Sequence, residues 1–170
     1  MNKESSKYGI NRKLGVGENR IKILFVCHGN ICRSPMGEFI LKKMVQQMGL
    51  EKQFQIASAA TSTEEIGNPV YPPARQKLKE HGIDCTGKTA VQLRRSDYEV
   101  YDYFLCMDRW NVKNTLRIFG GDPMNKVSLL LSWCGQEKEV ADPWYSGDFD
   151  TAYQDIERGC RAFLQQILQK

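Results

Sequence analysis

Histidine is scarce: His28 and His81 are the only two in 170 residues. The cysteines, Cys27, Cys32, Cys85, Cys106, Cys134 and Cys160, are scattered, with no C-x-x-C among them. A zinc cluster therefore has little to build on. Reduced thiols in a cytoplasmic protein are the expected state. There is no run of about 18 apolar residues, so no membrane span is expected. The N-terminus lacks the apolar core of a secretory signal. Excess charge is also missing from most of the chain. The 24 Lys and Arg against 20 Asp and Glu give a net charge of +4. Within residues 1–20, Lys3, Lys7, Arg12, Lys13 and Arg20 meet only Glu4 and Glu18, so +3 of it lies there. What is left, 19 basic against 18 acidic residues, is nearly neutral and asks for no nucleic-acid partner.

What is present is an ordinary globular balance, 41% hydrophobic and 26% charged, at a length that suits one core. Residues 1–20 are polar and aperiodic and read as a flexible N-terminal extension. Residues 21–170 read as a single domain. Ile21 to Val26 is an apolar run suited to a buried parallel strand. A helix is expected from about Pro35 to Met48, with Met36, Ile40, Met44 and Met48 as its stripe and Leu41 and Val45 beside them. A second strand is expected over Phe54 to Ala57, with Ser58 to Ser62 as the loop after it. A second helix runs through Ala74 and Leu78 to His81, and residues 84–95 read as loop. A short helix over Ser96 to Val100 precedes a strand over Tyr103 to Met107. Asp108 can cap a helix through Trp110, Leu116 and Phe119. A fourth strand lies near Lys126 to Leu130. The last helix starts near Asp150 and buries Tyr153, Ile156, Cys160, Phe163, Ile167 and Leu168. This alternation implies an α/β fold, a parallel sheet covered on both faces, with active residues at the carboxyl ends of the strands.

The stretch Val26-Cys27-His28-Gly29-Asn30-Ile31-Cys32-Arg33-Ser34-Pro35 joins the first strand to the first helix. A tight loop feeding a helix N-terminus turns backbone N–H groups inward and adds partial positive charge, which suits an oxyanion. Cys27 is a nucleophile if it ionises, and a helix N-terminus with a nearby cation favours the thiolate. Arg33 can grip two phosphate oxygens with its planar fork. Ser34 can hydrogen-bond the sulfur or cap the helix. Gly29 and Asn30 tolerate the positive φ that such a cradle needs. Asp142, in Asp142-Pro143-Trp144-Tyr145, is equally a turn former and a candidate general acid. Trp144 and Tyr145 suit either the walls of an aromatic pocket or a surface patch. Cys32 shares the loop with Cys27 and suits either a reversible disulfide with it or plain packing.

The string C-H-G-N-I-C-R-S-P closely resembles the low-molecular-weight protein tyrosine phosphatases, and the likeness extends over almost the whole chain after residue 20. That resemblance implies a three-layer α/β/α sandwich, with strand, phosphate loop and helix at its start and a four-stranded parallel sheet in the order 2-1-3-4. It implies a phosphatase that hydrolyses protein phosphotyrosine and small aryl phosphates through phosphocysteine. No metal or other cofactor takes part. Cys27 is then the nucleophile and Arg33 the phosphate grip, in a loop completed by His28, Gly29, Asn30, Ile31, Cys32 and Ser34. Asp142 becomes the general acid, later the base for water. Asn30 and Ser58 become a support pair, in which the asparagine is held in a strained backbone state. His28 stands at a wall position that is often apolar in the family, beside Trp144 and Tyr145. A loop that often carries histidine reads Gly87-Lys88 here, which leaves that arm of the support open. Partners are phosphotyrosine proteins, with phosphate and other oxyanions as inhibitors, and the protein is a monomer or weak homodimer.

Three rivals share parts of this pattern. Protein-arginine phosphatases resemble it but tend to have threonine where Ile31 stands and lack paired aromatics after the Asp-Pro. Ile31 has no hydroxyl to meet a phosphoguanidinium, and Trp144-Tyr145 suits a phenyl ring. Arsenate reductases share the loop but relay electrons through further cysteines, for which Cys85, Cys106 and Cys134 are not obviously arranged. A non-catalytic phosphate-binding module would be favoured by loss of Cys27, Arg33 or Asp142, and all three are present.

Overall fold

The computed structural model of the protein describes residues 19–169. Residues 1–18 of the expected extension lie outside the described residues. Four strands, β1 (Ile21–Cys27), β2 (Phe54–Ala60), β3 (Tyr103–Cys106) and β4 (Val127–Leu129), form one parallel sheet in the order β2-β1-β3-β4. Six α-helices accompany it among the described residues: α1 (Arg33–Gln47), α2 (Pro72–Glu80), α3 (Asp97–Val100), α4 (Arg109–Phe119), α5 (Pro143–Ser146) and α6 (Phe149–Leu168).

Side chains alternate along a strand, so β1 feeds two cores. Ile21, Ile23, Phe25 and Cys27 pack with buried residues of α1, α2 and α6. Leu24 and Val26 point the other way, into a cluster with Leu93, Tyr98, Phe104 and Phe119. Helices thus cover both faces, giving the expected three layers. The first core is closed by two glycines. A Cβ on Gly37 would stand 2.5 Å from the Phe25 ring, and one on Gly159 2.6 Å from Leu130. Helix α1 lies flat against the sheet at the first, and α6 approaches Leu130 closely at the second.

Two expectations need correction. The second strand continues to Ala60, so Ser58 is a strand residue paired with Phe25, not a loop residue. The run Ser58-Ala59-Ala60 is small because it is buried, with all three residues enclosed. On α1 the buried face is Met36, Ile40, Leu41 and Val45, whereas Met48 is 40% exposed. The stripe is set by a 3.6-residue turn, so a strict four-residue repeat drifts off it. Elsewhere boundaries move by a residue or two, as helix ends commonly do. Among the described residues no helix is long and apolar enough to cross a membrane.

Candidate active site

Cys27 ends β1, 3% exposed, at the bottom of the loop that leads into α1. Its sulfur is ringed by donors. The backbone N–H of Asn30 lies 3.3 Å away and that of Ser34 3.4 Å. The Ser34 hydroxyl is at 2.9 Å. Ser34 therefore serves the sulfur, and α1 begins without a side-chain cap. The carbonyls of the loop are turned away and tied down: Cys27 O accepts from Thr61, His28 O from Ser62, and Ile31 O from Tyr71. With its carbonyls facing out, the loop presents N–H groups to the cup, and an anion is what such a cup holds. Asn30 has φ +59°, the left-handed state that closes the turn, while Gly29 has no positive φ and is not needed for that purpose.

Arg33 is 3% exposed, and its partners are carboxylates and a carbonyl. Nη1 donates to Asp108 Oδ2 at 2.8 Å and to Val140 O at 2.9 Å. Nη2 stands 3.5 Å from Asp142 Oδ2. Burial alone would lower the guanidinium's affinity for its proton. The charges of Cys27, Asp142 and Asp108 outweigh that and raise it, so Arg33 stays a cation. Asp108 divides its work: Oδ1 accepts from Asn111 N in the capping box of α4, and Oδ2 orients Arg33. Capping is the only role that its sequence position suggests. Asp142 likewise splits, with Oδ1 accepting from Trp144 N to cap α5 and Oδ2 turned to Arg33.

Cys27, Asn30, Arg33 and Asp142 line a cleft of about 210 Å³, with Ile31 beside them. Trp144 and Tyr145 line one side of it. Trp144 is held by Tyr71 at the start of α2, with ring centroids 4.8 Å apart, whereas Tyr145 is 86% exposed. The facing wall is His28 with Glu64 and Glu65, two residues without a local signal in the sequence. His28 Nε2 lies 3.1 Å from Glu64 Oε2.

Behind the loop sits the support. The Asn30 side-chain N–H₂ donates to Ser34 Oγ at 2.8 Å and to Ser58 Oγ at 2.9 Å. Its carbonyl accepts from Val91 N. The expected Asn30–Ser58 contact is therefore present. The chain continues to Glu38, only 4% exposed, which accepts the Ser58 hydroxyl at 2.6 Å. Lys88 stands in the arm left open by Gly87-Lys88. Its ammonium donates to Ser58 O at 3.0 Å and lies 3.5 Å from Glu38 Oε1. Glu38 carries no local signal in the sequence, because a charged residue on a helix ordinarily faces water, and Lys88 stands out only as the residue where the family often has histidine.

All six cysteines are free. Burial, then the neighbouring Cys27, pushes the Cys32 thiol up to about 12. Burial pushes Cys106 up to about 12 as well.

Residues 22–170 match the family model "Low molecular weight phosphotyrosine protein phosphatase". A relative of that name from Gallus gallus is 40% identical over 149 residues, covering 85% of this chain and 94% of its own. The crystal structure of YfkJ from Bacillus subtilis superposes with a TM-score of 0.84 at 34% identity, covering 87% of this chain and 94% of its own. A Drosophila arginine phosphatase structure gives a TM-score of 0.77 at 32% identity, covering 85% and 96%. With the anion cup, the buried arginine and these matches together, the chain belongs to the low molecular weight phosphotyrosine protein phosphatase family of hydrolases.

Proposed function

We propose that this chain removes phosphate from protein phosphotyrosine with Cys27 as nucleophile, Arg33 as phosphate grip and Asp142 as proton donor. The observation that carries the reading is the sulfur itself, ringed by Ser34 Oγ and two backbone N–H groups in one cleft with Arg33 and Asp142. In the first step the thiolate attacks phosphorus, the S–P bond forms and the P–O bond to the tyrosine ring breaks. Asp142, protonated, gives its proton to the departing phenolate oxygen. In the second step Asp142, now a carboxylate, takes a proton from water as that water attacks phosphorus and releases the sulfur. Arg33 and the loop N–H groups stabilise charge on the equatorial oxygens in both steps, which is where preformed donors are most effective.

The apolar side chain of Ile31 and the anchored ring of Trp144 favour an aryl ester over a phosphoguanidinium. Cys32 is a candidate redox partner. A thiol kept protonated is slow to oxidise. Peroxide then converts Cys27 to a sulfenic acid, and the Cys32 thiol condenses with it to a disulfide and water. Six free thiols accord with a cytoplasmic protein. Phosphate and other oxyanions that fit the cup should compete with substrate. The test is hydrolysis of para-nitrophenyl phosphate, a phosphotyrosine peptide and phosphoarginine by the wild type and by Cys27→Ser. We expect turnover of the two aryl esters and background rates for Cys27→Ser. Wild-type turnover confined to phosphoarginine, or absent, would overturn the reading.

A further inference from the structure

Asp142 is reached through a largely exposed stretch, residues 136–141, and the way that stretch is fastened sets where the carboxylate stands. Val140 is buried and pinned at both backbone groups. Its N–H donates to Met107 O at 2.9 Å, and its carbonyl accepts from Arg33 Nη1 at 2.9 Å. Two bonds on one residue define an axis, about which the chain on either side can still turn. Asp142 lies two residues on, so such a turn carries its carboxylate away from Arg33 and out of the cleft.

A third fastening lies off that axis. Glu139 Oε2 accepts from the backbone N–H of Arg109 at 2.6 Å. Arg109 opens α4, and a helix start leaves that N–H without an intrahelical partner. The positive end of the helix also favours a carboxylate there. The donor is fixed, because the capping box of Asp108 and Asn111 holds the first turn of α4. The Arg109 side chain returns to the same stretch: Nη2 donates to Glu137 O at 2.9 Å, and Nη1 stands 3.7 Å from Glu139 Oε1. That ion pair is solvated, with Arg109 58% and Glu139 40% exposed, so it contributes little beside the backbone bond. On the other side Lys138 lies 3.9 Å from Asp155 of α6, a carboxylate that Arg158 shares.

The contacts close a ring. It runs from Arg109 N to Glu139, along Val140 and Ala141 to Asp142, across to Arg33, on to Asp108, and over one peptide back to Arg109. The start of α4 thus anchors both the guanidinium that grips phosphate and the segment that brings the proton. We propose that Glu139 is a positioning residue for the reaction. By holding the first N–H of α4 it stops the turn about Val140 and aims Asp142 at the leaving oxygen. This rests on Asp142 being the proton donor.

The test removes the bond from either end. Glu139→Ala deletes the acceptor. Arg109→Pro deletes the N–H at a first helical position that proline suits, after an Asp108 already extended at φ −144° and ψ 173°. Arg109→Met and Glu139→Gln are the controls, since each keeps a backbone donor and an acceptor. The readout is kcat/KM for phenyl phosphate and for para-nitrophenyl phosphate, whose leaving group needs little protonation. We expect Glu139→Ala and Arg109→Pro to lose about ten-fold on phenyl phosphate, near the low end of what a hydrogen bond to a charged group contributes. On para-nitrophenyl phosphate they should lose about two-fold or less. The two controls should stay within about three-fold of wild type on both. Competitive inhibition by inorganic phosphate should not move, because the cup is untouched, whereas a general loosening of the fold would move it. In an Asp142→Ala background, Glu139→Ala should add no further loss. Amide hydrogen exchange of residues 136–141, which needs no turnover, should quicken in Glu139→Ala and Arg109→Pro. Equal losses on the two esters, Arg109→Met as damaging as Arg109→Pro, a further loss without Asp142, or unchanged exchange would each overturn the proposal. Absence of turnover of either ester by the wild type would instead remove the functional reading, and the exchange rates would still decide whether Glu139 holds the segment.

Discussion

The loop after β1 and the segment Asp142–Ser146 face each other across the cleft, and they are held in opposite ways. In the first, Asn30, Arg33 and Ser34 are at most 3% exposed and each has several protein partners. In the second, Asp142 is 29% exposed at its side chain, Trp144 52% and Tyr145 86%. The division fits the proposed chemistry. The phosphoryl group has one shape, so its cup is rigid and enclosed. The leaving group and the incoming water must change places, so the proton donor sits where both can reach it. A substitution in the loop should therefore damage folding and chemistry together, whereas one in the segment should damage chemistry or binding alone.

Asp142→Ala is the sharpest way to separate the two. Among the described residues the carboxylate caps a four-residue helix and otherwise pairs with Arg33, so the fold should tolerate its loss at a cost of about 1 kcal/mol. General-acid help is typically worth about 100-fold to 10,000-fold, and kcat/KM for a phosphotyrosine peptide, which reports the first step alone, should fall by a factor in that range. Para-nitrophenolate leaves readily without a proton, so its formation should fall less. Equal losses for both leaving groups would place the proton donor elsewhere.

Asn30 tests the enclosed side. At φ +59° an alanine is strained by about 1–2 kcal/mol, and three polar neighbours lose a partner. We expect Asn30→Ala to lower stability by about 2 kcal/mol or more in urea melts and to depress kcat as well. Asn30→Gly relieves the backbone but not the hydrogen bonds. It should recover the strain term in stability and little of the rate. If Asn30→Gly restored activity fully, the loop would need the left-handed turn and not the side-chain bonds.

The same contrast explains what could be read from the sequence. The alternation of strands and helices and the cup follow from short contiguous strings, in which strand, turn and helix signals sit next to one another, whereas the sheet order and the choice of Asp142 come from the family resemblance. The run Ser58-Ala59-Ala60 reads locally as a loop because it is short of large apolar residues. It is a strand because α1 lies against it, which no local pattern reports. Glu38 and Lys88 stand 50 positions apart in the chain, and each alone looks solvated. Only the packing of α1 on β2, with the loop before α3 folded over them, makes them a buried pair. Asp108 shows the milder case, since the capping signal was legible and its second oxygen's contact with Arg33 was not. Tyr71 and the two glutamates at the mouth belong to the long connection after β2, whose course the sequence left open.

The smallest expected effect lies at the mouth, and it divides the two aromatics of one wall. Trp144 has a partner: Tyr71 holds its ring at 4.8 Å with the planes inclined at 52°, and Phe149 braces Tyr71 from behind at 6.1 Å. A ring fixed in this way loses little freedom when a substrate ring packs on it. Tyr145 is 86% exposed and must be ordered at the moment of binding, which offsets most of what the contact contributes. Aromatic pairs of this kind are worth about 0.5–1.5 kcal/mol. Trp144→Ala should accordingly raise KM for a phosphotyrosine peptide by about three-fold to ten-fold with kcat nearly unchanged. Tyr145→Ala should stay within about two-fold. Tyr71→Ala, which frees Trp144 without touching the cleft, should fall between them. If Tyr145→Ala proved the more damaging of the pair, the anchored ring would not be the surface on which the substrate's own ring rests.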